Sequence, residues 1–238
     1  MSLTGAQIIT FVDFNLKADI TEVERKEIID ACHRMARIRG VMGVAIGPNW
    51  TRPPRPPYDG LIYKHAGVIF HTNRQTFEEF HTHPLQREFF EKYLIPNLEQ
   101  VPPGTKANQK NPVINNLQIK YHAPREYLLS RGPGSPSIGQ CTILHHWLFN
   151  FKPGVTEEQK EMYFRIGSAI EHVPGVIAAE FGPNLSGDPY QYTGVFYHLS
   201  EETQRAYVTH PIHRYFVDNY QMPLIEDEDR ITINTMLE

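Results

Sequence analysis

Apolar and β-branched side chains crowd two stretches of the chain, Ile8 to Leu16 and Leu144 to Phe151, and each reads as a strand. Behind each stretch the period becomes helical. Thr21 with Glu24, and Thr156 with Gln159, form capping-box pairs that open a helix. Tyr163, Ile166, Ile170 and Val173 then recur at helical spacing. A strand comes next and runs into Gly-Pro-Asn at 47–49 and at 182–184, a composition that predicts a turn. A third strand, rich in aromatic and β-branched residues, covers 61–70 and 190–198. The next helix breaks near Pro84 or Pro211, because proline has no N–H to give to a helix interior. Val113 to Tyr121 and Arg230 to Met236 close the series as strands.

The same order thus occurs twice, and the residues repeat with it. Gly67–Pro96 and Gly194–Pro223 align without a gap, with 11 of 30 positions identical, Thr-His-Pro at 82–84 and 209–211 among them. Upstream the offset is 135, as in Lys17 and Lys152; downstream it is 127. The difference falls in one loop, where the first copy carries Trp50-Thr-Arg-Pro-Pro-Arg-Pro-Pro, and loops are where insertions are tolerated. That insertion reads as a stiff surface loop; the alternative is a lid or an anion clamp through Arg52 or Arg55. Arg131-Gly-Pro-Gly-Ser-Pro-Ser has linker composition, so the chain divides into a first repeat at 1–124, a linker at 125–140 and a second repeat at 141–238.

Each repeat is a βαββαβ, ferredoxin-like unit of the α+β class. Trp147, Phe149 and Phe151 share one face of a strand while Leu148 takes the other. A sheet apolar on both faces needs a second sheet, and the sibling repeat supplies one. The two repeats are therefore expected to form a single-chain α/β barrel, a pseudo-dimer, which leaves open a further homodimer.

Composition narrows the class of partner. The net charge of −4 gives no general pull toward nucleic acid or anionic membrane, and no apolar run reaches the ~18 residues of a membrane span. The N-terminus lacks a basic region followed by an apolar core, so no secretory signal is read. Cys32 and Cys141 make no disulfide framework, which sets a reduced, cytoplasmic location as the expectation.

Histidine is abundant, 12 in 238 residues, and several fall at matching places. Tyr207, His210 and His213 are spaced by three, so they could line adjacent turns of one helix. His210 and its counterpart His83 each precede proline, which favours a cap or turn-bonding group over a catalyst. His71 and His198 match at the end of the third strand, where a surface or loop-capping role is expected. A zinc site from His145, His210 and His213 is the alternative use of the cluster. No Cys pair or Glu-x-x-His unit reinforces it, so neither metal nor cofactor is expected.

His145-His-Trp-Leu-Phe-Asn-Phe-Lys-Pro-Gly, Gly182-Pro-Asn and Tyr207-Val-Thr-His-Pro-Ile-His213 together resemble the stress-responsive dimeric α/β-barrel (Dabb) family, over roughly residues 7–123 and 141–237. The family includes stress proteins, barrels without known activity and cofactor-free polyketide cyclases. The resemblance to plant cyclases implies Tyr207 and His213 as the catalytic pair and His145 as a pocket histidine. Those cyclases have another histidine on the third strand, where this chain has Tyr192 in the second repeat and His65 in the first. The resemblance thus implies an acid–base enzyme, a cyclase or lyase of secondary metabolism acting on a small apolar carbonyl-rich molecule. The alternatives are a non-catalytic stress or binding protein and, third, a mono-oxygenase. In the first repeat Thr10, Phe80 and Gln86 replace His145, Tyr207 and His213, which places the active pocket in the second.

Overall fold

The computed structural model describes residues 5–49, 63–103, 105, 110–122, 138–186, 190–226 and 231–237. The Trp50–Pro57 insertion and most of the 125–140 linker lie outside them.

In the first repeat β1 (Ile8–Phe14) leads to α1 (Glu22–Arg34), β2 (Val41–Pro48), β3 (His65–His71), α2 (Arg74–Phe80), α3 (Pro84–Glu88), β4 (Val113–Gln118) and β5 (Tyr121–His122). In the second β6 (Ile143–Phe149) leads to α4 (Glu157–Ser168), β7 (Val176–Pro183), β8 (Tyr192–His198), α5 (Glu201–Thr209), α6 (Pro211–Phe216) and β9 (Ile231–Met236). Both predicted capping boxes are present, at Thr21/Glu24 and Thr156/Gln159. Both helix breaks fall at the prolines. There the ring Nδ1 of His83 accepts from Leu85 N–H at 3.2 Å, and that of His210 accepts from Ile212 N–H at 3.3 Å. A π-helical turn comes after each break, Phe89–Leu94 and Val217–Gln221.

The strands make two antiparallel sheets, β2-β3-β1-β4 and β5-β7-β8-β6-β9. β5 belongs to the first repeat by sequence, yet it pairs with β7 of the second, Tyr121 with Phe181 and His122 with Glu180. One face of each sheet packs on its own helices: Val12 and Phe14 against Ile28, Cys32 and Phe89; Trp147 and Phe149 against Tyr163, Phe164 and Phe216. The opposite faces meet each other. Ile9, Phe11, Val68 and Leu117 of one sheet form a single core with Leu144, Ile177, Val195 and Tyr197 of the other. Within this inter-sheet layer the His146 ring stacks on Phe11 at 4.3 Å and its Nε2 lies 3.1 Å from Asp13.

Two expectations change. Gly-Pro-Asn is no turn: Gly47-Pro48 and Gly182-Pro183 end β2 and β7, and the asparagines bridge to the other repeat, Asn49 to Thr235 and Asn184 to Leu117. The glycines are required by close approach, since a Cβ at Gly47 would strike the carbonyl of Met236, and one at Gly182 that of Gln118. Asn49 Oδ1 accepts from Asn234 N–H at 3.1 Å, and Asn184 Oδ1 from Asn116 N–H at 2.9 Å. His71 and His198 are not surface groups either. β3 and β8 are interior strands of their sheets and α2 and α5 cover their ends, so both rings are fully buried.

Among the described residues no helix is long and apolar enough to cross a membrane.

Candidate functional site

Strand alternation turns His145 and Trp147 of β6 toward the helices, and Phe196 of β8 shares that face. β9 lies beside β6 with Asn234 opposite His145 and Thr232 opposite Trp147. Above this floor, α5 places Gln204, Tyr207 and Val208 on successive turns; α6 adds His213, and the π-helical turn adds Val217 and Gln221. Between helices and sheet is a cleft of about 280 Å³. One end is polar, with His145, Gln204, Tyr207, His213 and Asn234. Trp147, Phe196, Val208, Val217 and Met222 line the cleft with apolar surface, and Gln221 and Thr232 add two further polar groups. Val208 and Met222 are half exposed and mark the mouth. Among the described lining residues none is Lys, Arg, Asp or Glu.

The hydrogen bonds fix the tautomers. His213 Nδ1 lies 3.0 Å from the Val208 carbonyl, which can only accept, so Nδ1 carries the proton and Nε2 keeps its lone pair. His145 Nδ1 lies 2.7 Å from Asn234 Oδ1, with the same consequence, and Gln204 Nε2 donates to that oxygen at 3.1 Å. The Tyr207 ring sits 4.1 Å from that of His213 and 6.0 Å from that of His145. Burial, reinforced by neighbouring imidazoles, holds the His145 pKa well below 6.5. Burial also lowers His213, partly offset by its bond to Val208. Burial raises the Tyr207 phenol well above 10. Near neutral pH the cleft therefore holds neutral imidazoles beside a protonated phenol.

Of the residues nominated from sequence, Tyr207, His213 and His145 line this cleft; His210, Tyr192 and His65 do not. His210 caps its own helix. Tyr192 packs on Phe149, Phe151 and Phe164 at 5.8, 5.0 and 5.6 Å between ring centres. His65 belongs to the first sheet, where its Nε2 accepts from the Arg25 guanidinium at 2.9 Å and burial pushes its pKa down to about 4. Among the described residues no three His, Cys, Asp or Glu side chains are grouped to hold a metal ion. Sequence reasoning passed over Gln204 and Asn234. Gln204 stands one helical turn before Tyr207; Asn234 is reached only through strand register, which no local pattern discloses.

The first repeat shows the same location sealed. Thr10 Oγ1 donates to Asn116 Oδ1 at 2.7 Å and lies 3.0 Å from His71 Nε2. The edges of Phe77 and Phe80 close over His71, at 5.4 and 4.9 Å between ring centres.

Comparison with known proteins agrees with this architecture. The family model described as Stress responsive A/B Barrel Domain matches residues 143–234. Among curated proteins none matches the chain significantly in sequence. A candidate monooxygenase from Fusobacterium nucleatum subsp. nucleatum superposes with a TM-score of 0.65 at 11% identity, covering 98% of this chain and 92% of its own. An anthrone oxidase-like protein superposes with a TM-score of 0.59 at 11% identity, over 100% of this chain and 94% of its own. At such identity the likeness is one of fold. Residues 143–234 thus match the stress-responsive A/B barrel (Dabb) family, and the first repeat has the same strand and helix order, the two sheets closing on one shared core within a single polypeptide.

Proposed function

We propose that the cleft of the second repeat is the active site of a cofactor-independent acid–base enzyme, a cyclase or lyase acting on a small, largely apolar molecule bearing several carbonyl groups. The observation that carries this is the fixed tautomer of His213 beside Tyr207: an imidazole with a free Nε2 lone pair next to a phenol that keeps its proton. His213 Nε2 takes a proton from a carbon next to a carbonyl, while the Tyr207 hydroxyl donates to that carbonyl oxygen and stabilises the enolate as it forms. The enolate carbon attacks a second carbonyl of the same molecule, and the new alkoxide recovers the proton from the His213 imidazolium. Acid–base assistance of this kind supplies about 10²–10⁴ in rate. That suffices for a ring closure that the folded substrate already favours. The apolar lining selects the rest of the chain.

Incubation with linear poly-β-carbonyl compounds, followed by mass analysis, tests the proposal. The expected product is ring-closed, isobaric with the substrate or lighter by one water, and absent with His213→Ala. Binding without conversion favours a non-catalytic carrier. The full-length superposition on the candidate monooxygenase and the anthrone oxidase-like protein supports a second reading. In it the same base deprotonates a ring methylene acidified by conjugated carbonyls, the carbanion adds O₂, and the protonated hydroperoxide loses water to leave a new carbonyl; product formation that consumes one O₂ would select it.

A further inference from the structure

His198 is fully buried, and among the described residues neither of its ring nitrogens has a hydrogen-bond partner. A neutral imidazole carries one donor and one acceptor, and leaving both unmet in a core is unfavourable. In the first repeat the counterpart His71 has one nitrogen met: its Nε2 pairs with Thr10, which Asn116 holds in place, and only its Nδ1 lacks a partner among the described residues. In the second repeat His145 stands where Thr10 stood and gives its Nδ1 proton to Asn234 instead, so the pairing is gone. His198 does not itself line the cleft; two rings that do lie beside it, Tyr207 at 4.9 Å and His145 at 6.2 Å between ring centres. Tyr207 lies in the last turn of α5, just before the break at His210-Pro211.

We propose that His198 is the inner hydrogen-bonding contact of the cleft, engaging the hydroxyl or carbonyl oxygen of an uncharged ligand that enters between His145 and Tyr207. The inference rests on the reading of the cleft as a ligand site. The ligand is uncharged because the described lining offers no charged side chain to an ion. His65, His71 and His146 each leave one buried nitrogen without a partner, whereas His198 alone among the described histidines leaves both, and a bound ligand gives these a use. The apolar mouth at Val208, Val217 and Met222 takes its hydrocarbon part.

The test uses the full chain, two uncharged probes (heptyl methyl ketone and meta-pentylphenol) and octanoate as the charged counterpart, with binding followed by calorimetry. Wild-type protein binds both uncharged probes more tightly than octanoate. His198→Phe weakens them by about tenfold or more, the scale of one lost buried hydrogen bond, while melting no lower than wild type. His71→Phe does the reverse: it melts lower, because the Thr10 bond is broken, and binds normally. Should His198→Phe not fold, the imidazole ¹⁵N shifts of wild-type His198 decide, moving on addition of probe if the contact forms. Equal binding by His198→Phe, or unmoved shifts, overturns the role of His198 and leaves the cleft standing. Equal affinity for octanoate overturns the ligand class. If wild-type protein binds neither uncharged probe, the cleft reading fails and this inference with it.

Discussion

Asn49 lies in the first repeat, yet its replacement by alanine is predicted to damage the site in the second. Its Nδ2 donates to the Tyr63 carbonyl at 2.5 Å, and its Oδ1 accepts the Asn234 N–H at 3.1 Å. Asn234 then presents its own Oδ1 to His145 and Gln204. Asn49→Ala removes two neutral hydrogen bonds, each worth about 0.5–1.5 kcal/mol net, and takes a partner from a buried strand amide. The expected loss is about 2–3 kcal/mol, read as a lower urea midpoint with unchanged slope. Because β9 is released beside His145, ligand affinity or turnover should fall as well. Asn184→Ala is the internal control. It breaks the counterpart bonds to the Asn116 N–H and the Tyr190 carbonyl and two more, to Asn115 Oδ1 and from the Ser186 N–H, so its cost in stability is at least as large. Asn116, however, serves the sealed location of the first repeat, so the cleft should be spared. Wild-type stability of Asn49→Ala, or equal loss of site function in both variants, would refute the reasoning.

Three further outcomes are expected. Burial lowers the folded-state pKa of His71 to about 4 and of His198 to about 3, whereas the unfolded chain titrates near 6.5. Below that pH the unfolded state takes up protons that the folded state refuses. Each histidine then removes up to about 1.4 kcal/mol per pH unit until its folded pKa is reached. Urea midpoints should therefore drop steadily from about pH 6.5 to about pH 4, and a flat profile would contradict this. His146→Leu leaves the buried Asp13 side chain in the inter-sheet core without its imidazole hydrogen bond and should cost about 1–3 kcal/mol in chemical denaturation. A loss under about 1 kcal/mol would remove the pair from the account of barrel stability. With the activity in hand, the rate should fall on the acid side with a midpoint below the ordinary 6.5 of histidine, because burial depresses His213. The basic limb should lie above pH 10, because Tyr207 holds its proton.

Much of this architecture was legible in the residues, because it is written in local patterns. The capping pairs Thr21/Glu24 and Thr156/Gln159, the breaks at Pro84 and Pro211, and the two apolar faces of β6 each arise from spacing or backbone chemistry within a few residues. What escaped depends on partners far along the chain. Gly-Pro-Asn has the composition of a turn, but its glycine and asparagine serve contacts with β9 and β4 of the opposite repeat. His71 and His198 end their strands in sequence, and only the sheet order, which makes those strands interior, buries them. At the site, Tyr207 and His213 sit on adjacent helical segments and could be paired by eye. Asn234, 89 residues from His145, becomes its partner only through the β6–β9 register. Tyr192 and His65 align with a site position by sequence, yet their side chains face aromatic packing and Arg25.

A working general base in the second repeat and none in the first would show most directly in the rate at which the protein exchanges the α-hydrogens of heptyl methyl ketone for solvent deuterium, followed by proton NMR. Wild-type protein and Gln86→Ala should exchange equally fast, with His213→Ala and Tyr207→Phe reduced to the buffer rate. Exchange that survives in His213→Ala, or disappears in Gln86→Ala, would contradict that placement of the base.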